Sequence, residues 1–304
     1  MGADVIDDVI RFLGSNWGST KDFLNSVFFI SIASAFAGAF AGASIAQKIA
    51  ERSKRRDELT KEIRNTNAAV VVASAVTEVF MSLKTQHVQG LKDNFEKTEA
   101  NFRQFVARRN TGQIGREVEF QLVVDFRSLA IPPMPLDVLQ QQMFEKLSLS
   151  GRPPRLQIAL AQSAHSVADF VQKRNELIQS FKASNHPREK LLKLYFGLPD
   201  SDGHINQEYA SSLSAIYKFT DDGIYFGVML CDDLALHALE LSQRFFKEFG
   251  ESGPPPASVD FSNARTTGII PDATEYSDWS TGFIKKLPLK YCLWQRISRF
   301  LSAT

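Results

Sequence analysis

The residues best equipped for chemistry fall in two short stretches. Asp200, Asp202 and His204 share the loop Asp200-Ser201-Asp202-Gly203-His204, and Asp233 and His237 stand four residues apart further along. The loop opens like a calcium loop, in which closely spaced carboxylates ligate a hard cation. Its glycine comes at the fourth position rather than the sixth, and no glutamate stands at the twelfth, so it reads as a solvated turn. On a helix, the spacing of Asp233 and His237 puts a carboxylate beside an imidazole, which orients a general base or supplies two metal ligands. The same pair serves equally as a satisfied polar patch in a helical bundle. His87, His165 and His186 have no metal spacing, and the chain contains no GxGxxG, GxxxxGK[ST], GxSxG or HExxH. These five residues are therefore a candidate polar site, with no catalytic residue, metal or cofactor assigned.

The bulk composition narrows the classes. The chain has 304 residues, 44% hydrophobic and 23% charged, the balance of a globular protein rather than a disordered chain or a multi-span transporter. A formal net charge of +1 carries no nucleic-acid signal. The two cysteines, Cys231 and Cys292, lack ligand spacing and read as a disulfide or, more simply, as two buried thiols. Most of the 24 phenylalanines stand at helical spacing and read as packing material.

What positions these residues begins with a membrane segment. No charge occurs from Phe23 to Gln47, and Val27–Ala46 has the length that crosses roughly 30 Å of hydrocarbon at 1.5 Å per residue. Residues 1–22 carry four Asp against one Arg and one Lys, whereas Gln47–Arg64 holds seven Lys or Arg, including Arg52, Lys54, Arg55 and Arg56. Positive charge marks the cytoplasmic side, so the N-terminus is expected outside and the body inside, at a bacterial inner membrane. Within the span, Gly38 and Gly42 form a GxxxG pair, and Ala35, Ala39 and Ala43 repeat the spacing on an adjacent stripe. Small residues at this period let helix backbones approach in lipid, which predicts a homo-oligomer. Ahead of the span, Val5, Ile6, Val9, Ile10 and Leu13 oppose Asp4, Asp7 and Asp8, a short amphipathic segment with Trp17 at headgroup level.

The rest reads as helices. Residues 47–66 are a charged stalk, and Ala68–Leu83, with Glu78 its single charge, is a buried helix or, alternatively, a second membrane segment. Val88, Leu91, Phe95, Thr98, Phe102 and Phe105 make a seam like that of a coiled coil, ended by Thr111-Gly112. Val118, Phe120, Leu122, Val124 and Phe126 alternate strictly, which predicts a minor strand over 117–126. Helices follow over Leu136–Leu147, from about Leu156 to Phe181, over Arg188–Phe196 and over about Ile205–Phe219. Asp221 and Asp222 are read as caps of a further helix, Ile224–Phe249. Residues 250–282 are rich in Pro, Gly, Ser and Thr and read as irregular, and Leu289–Leu301 as a basic amphipathic helix.

Some of these stretches carry a likeness. The basic run Ala50-Glu51-Arg52-Ser53-Lys54-Arg55-Arg56, the helix segment Ile63-Arg64-Asn65-Thr66-Asn67, Leu83-Lys84-Thr85-Gln86 and Arg174-Asn175 resemble a set of uncharacterised bacterial single-pass inner-membrane proteins. The likeness covers roughly residues 25–180. It implies location and architecture, and it brings no activity. The layout is also similar to that of membrane effectors of bacterial antiphage systems, in which a cytosolic sensor gates a membrane lesion.

The expected protein is mostly α. A short extracytoplasmic segment (1–22) precedes a transmembrane helix (23–47), a stalk with the first bundle helix (48–110), a helical cytosolic domain (111–249), and an irregular loop with a C-terminal amphipathic helix (250–304). Its expected partners are the lipid bilayer, copies of itself and a cytosolic protein or signal. The expected function is a self-associating membrane protein with a sensing domain, a gated pore being the concrete form. A membrane-tethered enzyme and a passive scaffold are the other two classes.

Overall fold

The computed structural model describes residues 27–281 except 116, 123, 124, 185 and 201, with side chains described between 39 and 279. The expected segments 1–22 and Leu289–Leu301, with Cys292, lie outside the described residues. The described chain is helical, and no strand forms among the described residues. It divides into two compact units, residues 1–60 and 61–304.

Helix α1 runs over Val27–Leu83, without a proline to break it. In the first unit its described side chains from Ala39 to Ala50 are almost all exposed, including Phe40, Ile45 and Ile49. In the second unit the same helix buries Ala69, Val70, Ala73, Val76, Phe80 and Leu83 completely or nearly so. Within Ala39–Asn110 the helical chain is long and apolar enough to cross a membrane, with an 18-residue stretch of mean hydropathy 1.5. Lys48, Glu51 and Arg52 follow Ala39 so closely that this stretch can only fall on the Ala68–Leu83 run. There one face, with Ala69, Val70, Ala73, Val76, Phe80 and Leu83, belongs to the protein's own core.

A single π turn, Lys84–Val88, leads into α2, Gln89–Asn110. After an irregular stretch come α3 (Leu136–Glu145), α4 (Arg152–Ala183), α5 (Arg188–Phe196) and α6 (Glu208–Phe249). Gly197 (φ 65°) and Gly250 (φ 75°) end α5 and α6 in the left-handed conformation that only glycine adopts freely. Two short helices, α7 (Ser262–Thr266) and α8 (Ser277–Thr281), punctuate the tail.

The frame of the second unit is α6 between two antiparallel partners. Arg152 meets Asp233 and Lys173 meets Glu208, so α4 runs opposite to α6. Phe80 abuts Gly223 and Thr77 abuts Gly227, so α1 runs opposite to α6 as well. The main core fills this three-helix sandwich. A second, mostly aromatic cluster of Ile178, Phe181, Leu192, Tyr195, Phe196 and Tyr209 lies at the start of α6. The seam on α2 packs within the domain: Val88 and Leu91 join the main core, while Phe95 and Phe102 join the aromatic cluster.

Two expectations are corrected. Segment 117–126 has no ladder partner among its described residues, and its alternation serves a helical surface instead, with Phe120, Leu122 and Phe126 set against the aromatic cluster. The two helices expected on either side of Asp221-Asp222 are one, α6. Both carboxylates find side-chain partners within the bundle and do not cap: Asp221 pairs with Lys84 at 2.6 Å, and Asp222 accepts the Tyr276 hydroxyl at 2.9 Å. Gly223, a helix breaker by propensity, is retained because Phe80 leaves no room for a Cβ.

Candidate binding cleft

The residues singled out for chemistry are not brought together. The Asp200 carboxylate accepts the backbone N–H groups of Asp202 (2.9 Å) and His204 (3.0 Å), which closes the loop on itself. Those bonds, the Asp202 N–H first, hold its carboxyl below the usual range. Asp233 lies roughly 37 Å along α6 from Glu208, at 1.5 Å per residue. It is taken by both nitrogens of a bidentate Arg152 fork rather than by His237. His237 Nε2 is buried and sits 4.0 Å from Glu62 Oε1, too far for a hydrogen bond. Among the described residues no group of three or more His, Cys, Asp or Glu could hold a metal ion. Burial pushes the Cys231 thiol up to about 12, so it is a packing residue and not a nucleophile.

The membrane-side residues are placed as follows. Ala39, Gly42 and Ala43 are exposed, and nothing lies within 4 Å of a Cβ added at Gly42. Ala35 and Gly38 are helical, and their side chains lie outside the described ones. Arg52, Lys54 and Arg56 are exposed, and Arg55 reaches Glu58 at 3.5 Å.

The polar residues that carried the family likeness turn out to be staples. Asn67 donates to the Pro255 carbonyl and accepts the Ala257 N–H, both at 2.8 Å, pinning the start of the tail. Lys84, buried in the π turn, pairs with Asp221 and donates to the Ile269 carbonyl at 3.0 Å. Asn175 brackets Leu129, accepting its N–H at 3.0 Å and donating to its carbonyl at 2.8 Å. Arg174, fully buried, donates to the carbonyls of Arg127 (3.1 Å) and Asp125 (3.2 Å) and stands over the Tyr209 ring. Each replaces ladder bonds that an irregular segment lacks. Spacing gave no sign of this, because the partners are 46 or more residues away in sequence.

Away from these staples, a cleft of about 740 Å³ lies between α2, residues 117–120 and α5. Phe102, Phe105, Phe120 and Phe196 form its floor. Phe102 stacks on Phe196 at 5.2 Å and meets Phe120 edge-on at 5.1 Å. Its rim balances Arg103, Arg109, Arg188 and Lys193 against Glu99, Glu117, Glu119 and Glu189. Three of these cations have carboxylate partners on the rim itself: Arg103 with Glu99 (2.6 Å), Arg188 with Glu119 (3.1 Å) and Lys193 with Glu189 (3.0 Å). Beneath the floor, burial raises the Tyr195 and Tyr209 phenols, so both stay neutral hydrogen-bonding groups. The cleft thus has an apolar floor and a charge-balanced rim, in the size range of ligand sites. The sequence marked Phe102 and Phe105 as seam residues, and only the return of α5 shows that they line a cleft.

Comparison with protein-family models, with curated proteins and with solved structures gives no match.

Proposed function

We propose that this chain is a self-associating single-pass membrane protein whose helical domain is a cytosolic binding module, with the aromatic cleft as its recognition site. The observation that carries the reading is the contrast along α1. From residue 69 onward one face of it, with Ala69, Val70, Ala73, Val76, Phe80 and Leu83, is buried in a protein core and Val71 on another face is exposed, whereas Phe40, Ile45 and Ile49 stand 79%, 59% and 65% exposed with no buried face beside them. Exposed apolar surface of this kind, continuous with an uncharged helix, calls for lipid or copies of itself as cover. The basic residues from Lys48 to Arg64 favour a cytoplasmic body. In its most concrete form the assembly is a gated pore or membrane-perturbing effector of bacterial defence, with Ser31, Ser34 and Ser44 on the span and the body as gate.

The test is the particle size of the full chain in detergent, beside its recovery in the membrane fraction. Gly38→Ile with Gly42→Ile should reduce the assembly to monomers while leaving membrane recovery intact. An unchanged assembly size would remove self-association through this stripe. A membrane potential that never responds to expression, alone or with genomic neighbours, would remove the pore.

A further inference from the structure

Segment 117–122 packs one side on the helical frame and leaves its backbone without the bonds that the staples give to the residues after it. It carries the strict two-residue alternation of a strand, and its odd-numbered residues Glu119 and Gln121 are exposed while Phe120 and Leu122 face the aromatic cluster. The staples stop short of it: Arg174 and Asn175 hold the chain at Asp125, Arg127 and Leu129. From Glu119 to Leu122 no backbone N–H or C=O finds a hydrogen-bond partner among the described residues. Residues 117–120 form the lip of the cleft, where Val118 is 44% exposed beside the phenylalanine floor.

We propose that Val118–Leu122 is a strand-addition edge, on which an extended segment of a partner protein pairs with the backbone and sets apolar side chains two residues apart against Phe102, Phe105 and Phe120. The inference rests on the reading of the domain as a binding module and names the partner's chemistry. Strand addition takes its affinity from main-chain hydrogen bonds and its specificity from pockets for alternate side chains, and here unpaired main-chain groups lie beside an apolar cleft. The rim's charge decides against a polyanion. Equal numbers of acids and bases, three of the bases already neutralised on the rim, offer no excess positive field for a nucleic acid or a polyphosphate. A peptide of mixed charge meets such a rim without leaving a carboxylate opposed.

The experiment pans random ten-residue peptides displayed on phage against the full chain in detergent, then maps the selected peptides by amide hydrogen exchange. Enriched peptides should carry apolar residues at alternate positions and protect alternate amides between 119 and 122. Val118→Asp, with unchanged circular dichroism and particle size, should weaken them about tenfold or more. Peptides that protect only other segments, or that bind Val118→Asp as well as wild type, would overturn the proposal. So would adenosine monophosphate protecting these amides where no peptide does, or a chain ending at Thr281 losing a protection of 119–122 that the full chain shows without peptide. The last result would make the occupant this chain's own C-terminus. Membrane recovery and particle size are read separately, so the anchor can fail while strand addition stands, and the reverse.

Discussion

Gly227 of α6 faces Thr77 of α1 so closely that a Cβ would collide with the threonine Oγ1, and one turn earlier Gly223 meets the Phe80 ring in the same way. The chain thus contains a GxxxG pair inside its helical frame too, and here the two small residues let α1 and α6 approach closely. Each side of the crossing is fixed: Thr77 donates its hydroxyl to the Ala73 carbonyl at 2.7 Å, and Phe80 is fully buried. Neither can move aside without opening the core.

Gly227→Ala should therefore lower unfolding stability by about 1–3 kcal/mol, the usual cost of forcing a methyl into a packed core. The sign separates this from helix propensity, which favours alanine by roughly 1 kcal/mol. Gly90→Ala on α2, with nothing within 4 Å of the new Cβ, should stabilise by that smaller amount. Urea unfolding of both variants in detergent reads the contrast. Two shifts of the same sign would contradict it.

Replacing Asn175 by alanine strips Leu129 of both its partners at once, N–H and carbonyl. Leaving such groups unpaired and partly buried costs about 1–3 kcal/mol. The loss should appear locally first, as faster amide exchange at Leu129, before any change in the exchange of α6.

Much of the helical frame was legible because α-helices announce themselves through short-range periodicity. Arg188–Phe196 matches its expected bounds, and the seam from Val88 to Phe102 buries as its spacing implies. What stayed illegible depends on partners distant in the chain. Asp221 and Asp222 look like caps until Lys84 and Tyr276 are found beside them, and Gly223 looks like a break until Phe80 is. Segment 117–126 has a strand's alternation, yet the surface it covers is helical. The cleft shares this property, since its floor joins α2, residue 120 and α5.

Two acids should respond oppositely to pH. Asp125 is held at about 2, chiefly by the hydrogen bond from the Arg127 side chain. Its folded value lies below the ordinary 3.8, so its contribution is complete above about pH 4 and is lost as pH falls towards 2. Burial raises Asp222, against the hydrogen bond it accepts from Tyr276. For a raised carboxyl the folded state favours the proton, so its ionised form costs stability at neutral pH, and that cost fades as pH falls through the raised value. Asp222→Asn should melt at or above wild type at pH 7, with the gap closing on acidification. Asp125→Asn should melt below wild type at pH 7, with the gap closing between pH 4 and 2. Thermal melts across pH 2–7 check both signs.

The relation of Asp233 to His237 decides whether α6 carries a chemical pair or only a structural one. Their spacing suits an acid–base couple, but the Arg152 fork binds both Asp233 oxygens, and Asp233 is largely buried while Arg152 is partly exposed. Removing one partner leaves the other charge uncompensated, so each single substitution should be costly while the double substitution costs little more. A double-mutant cycle of Arg152→Ala with Asp233→Ala should therefore give a coupling of about 1 kcal/mol or more, whereas Asp233→Ala with His237→Ala should be additive within about 0.5 kcal/mol. A large coupling between Asp233 and His237 would mean that the carboxylate leaves Arg152 in solution to orient the imidazole, and it would return α6 to the list of sites where chemistry is possible. Additivity would make Asp233 a structural partner of Arg152 and nothing more.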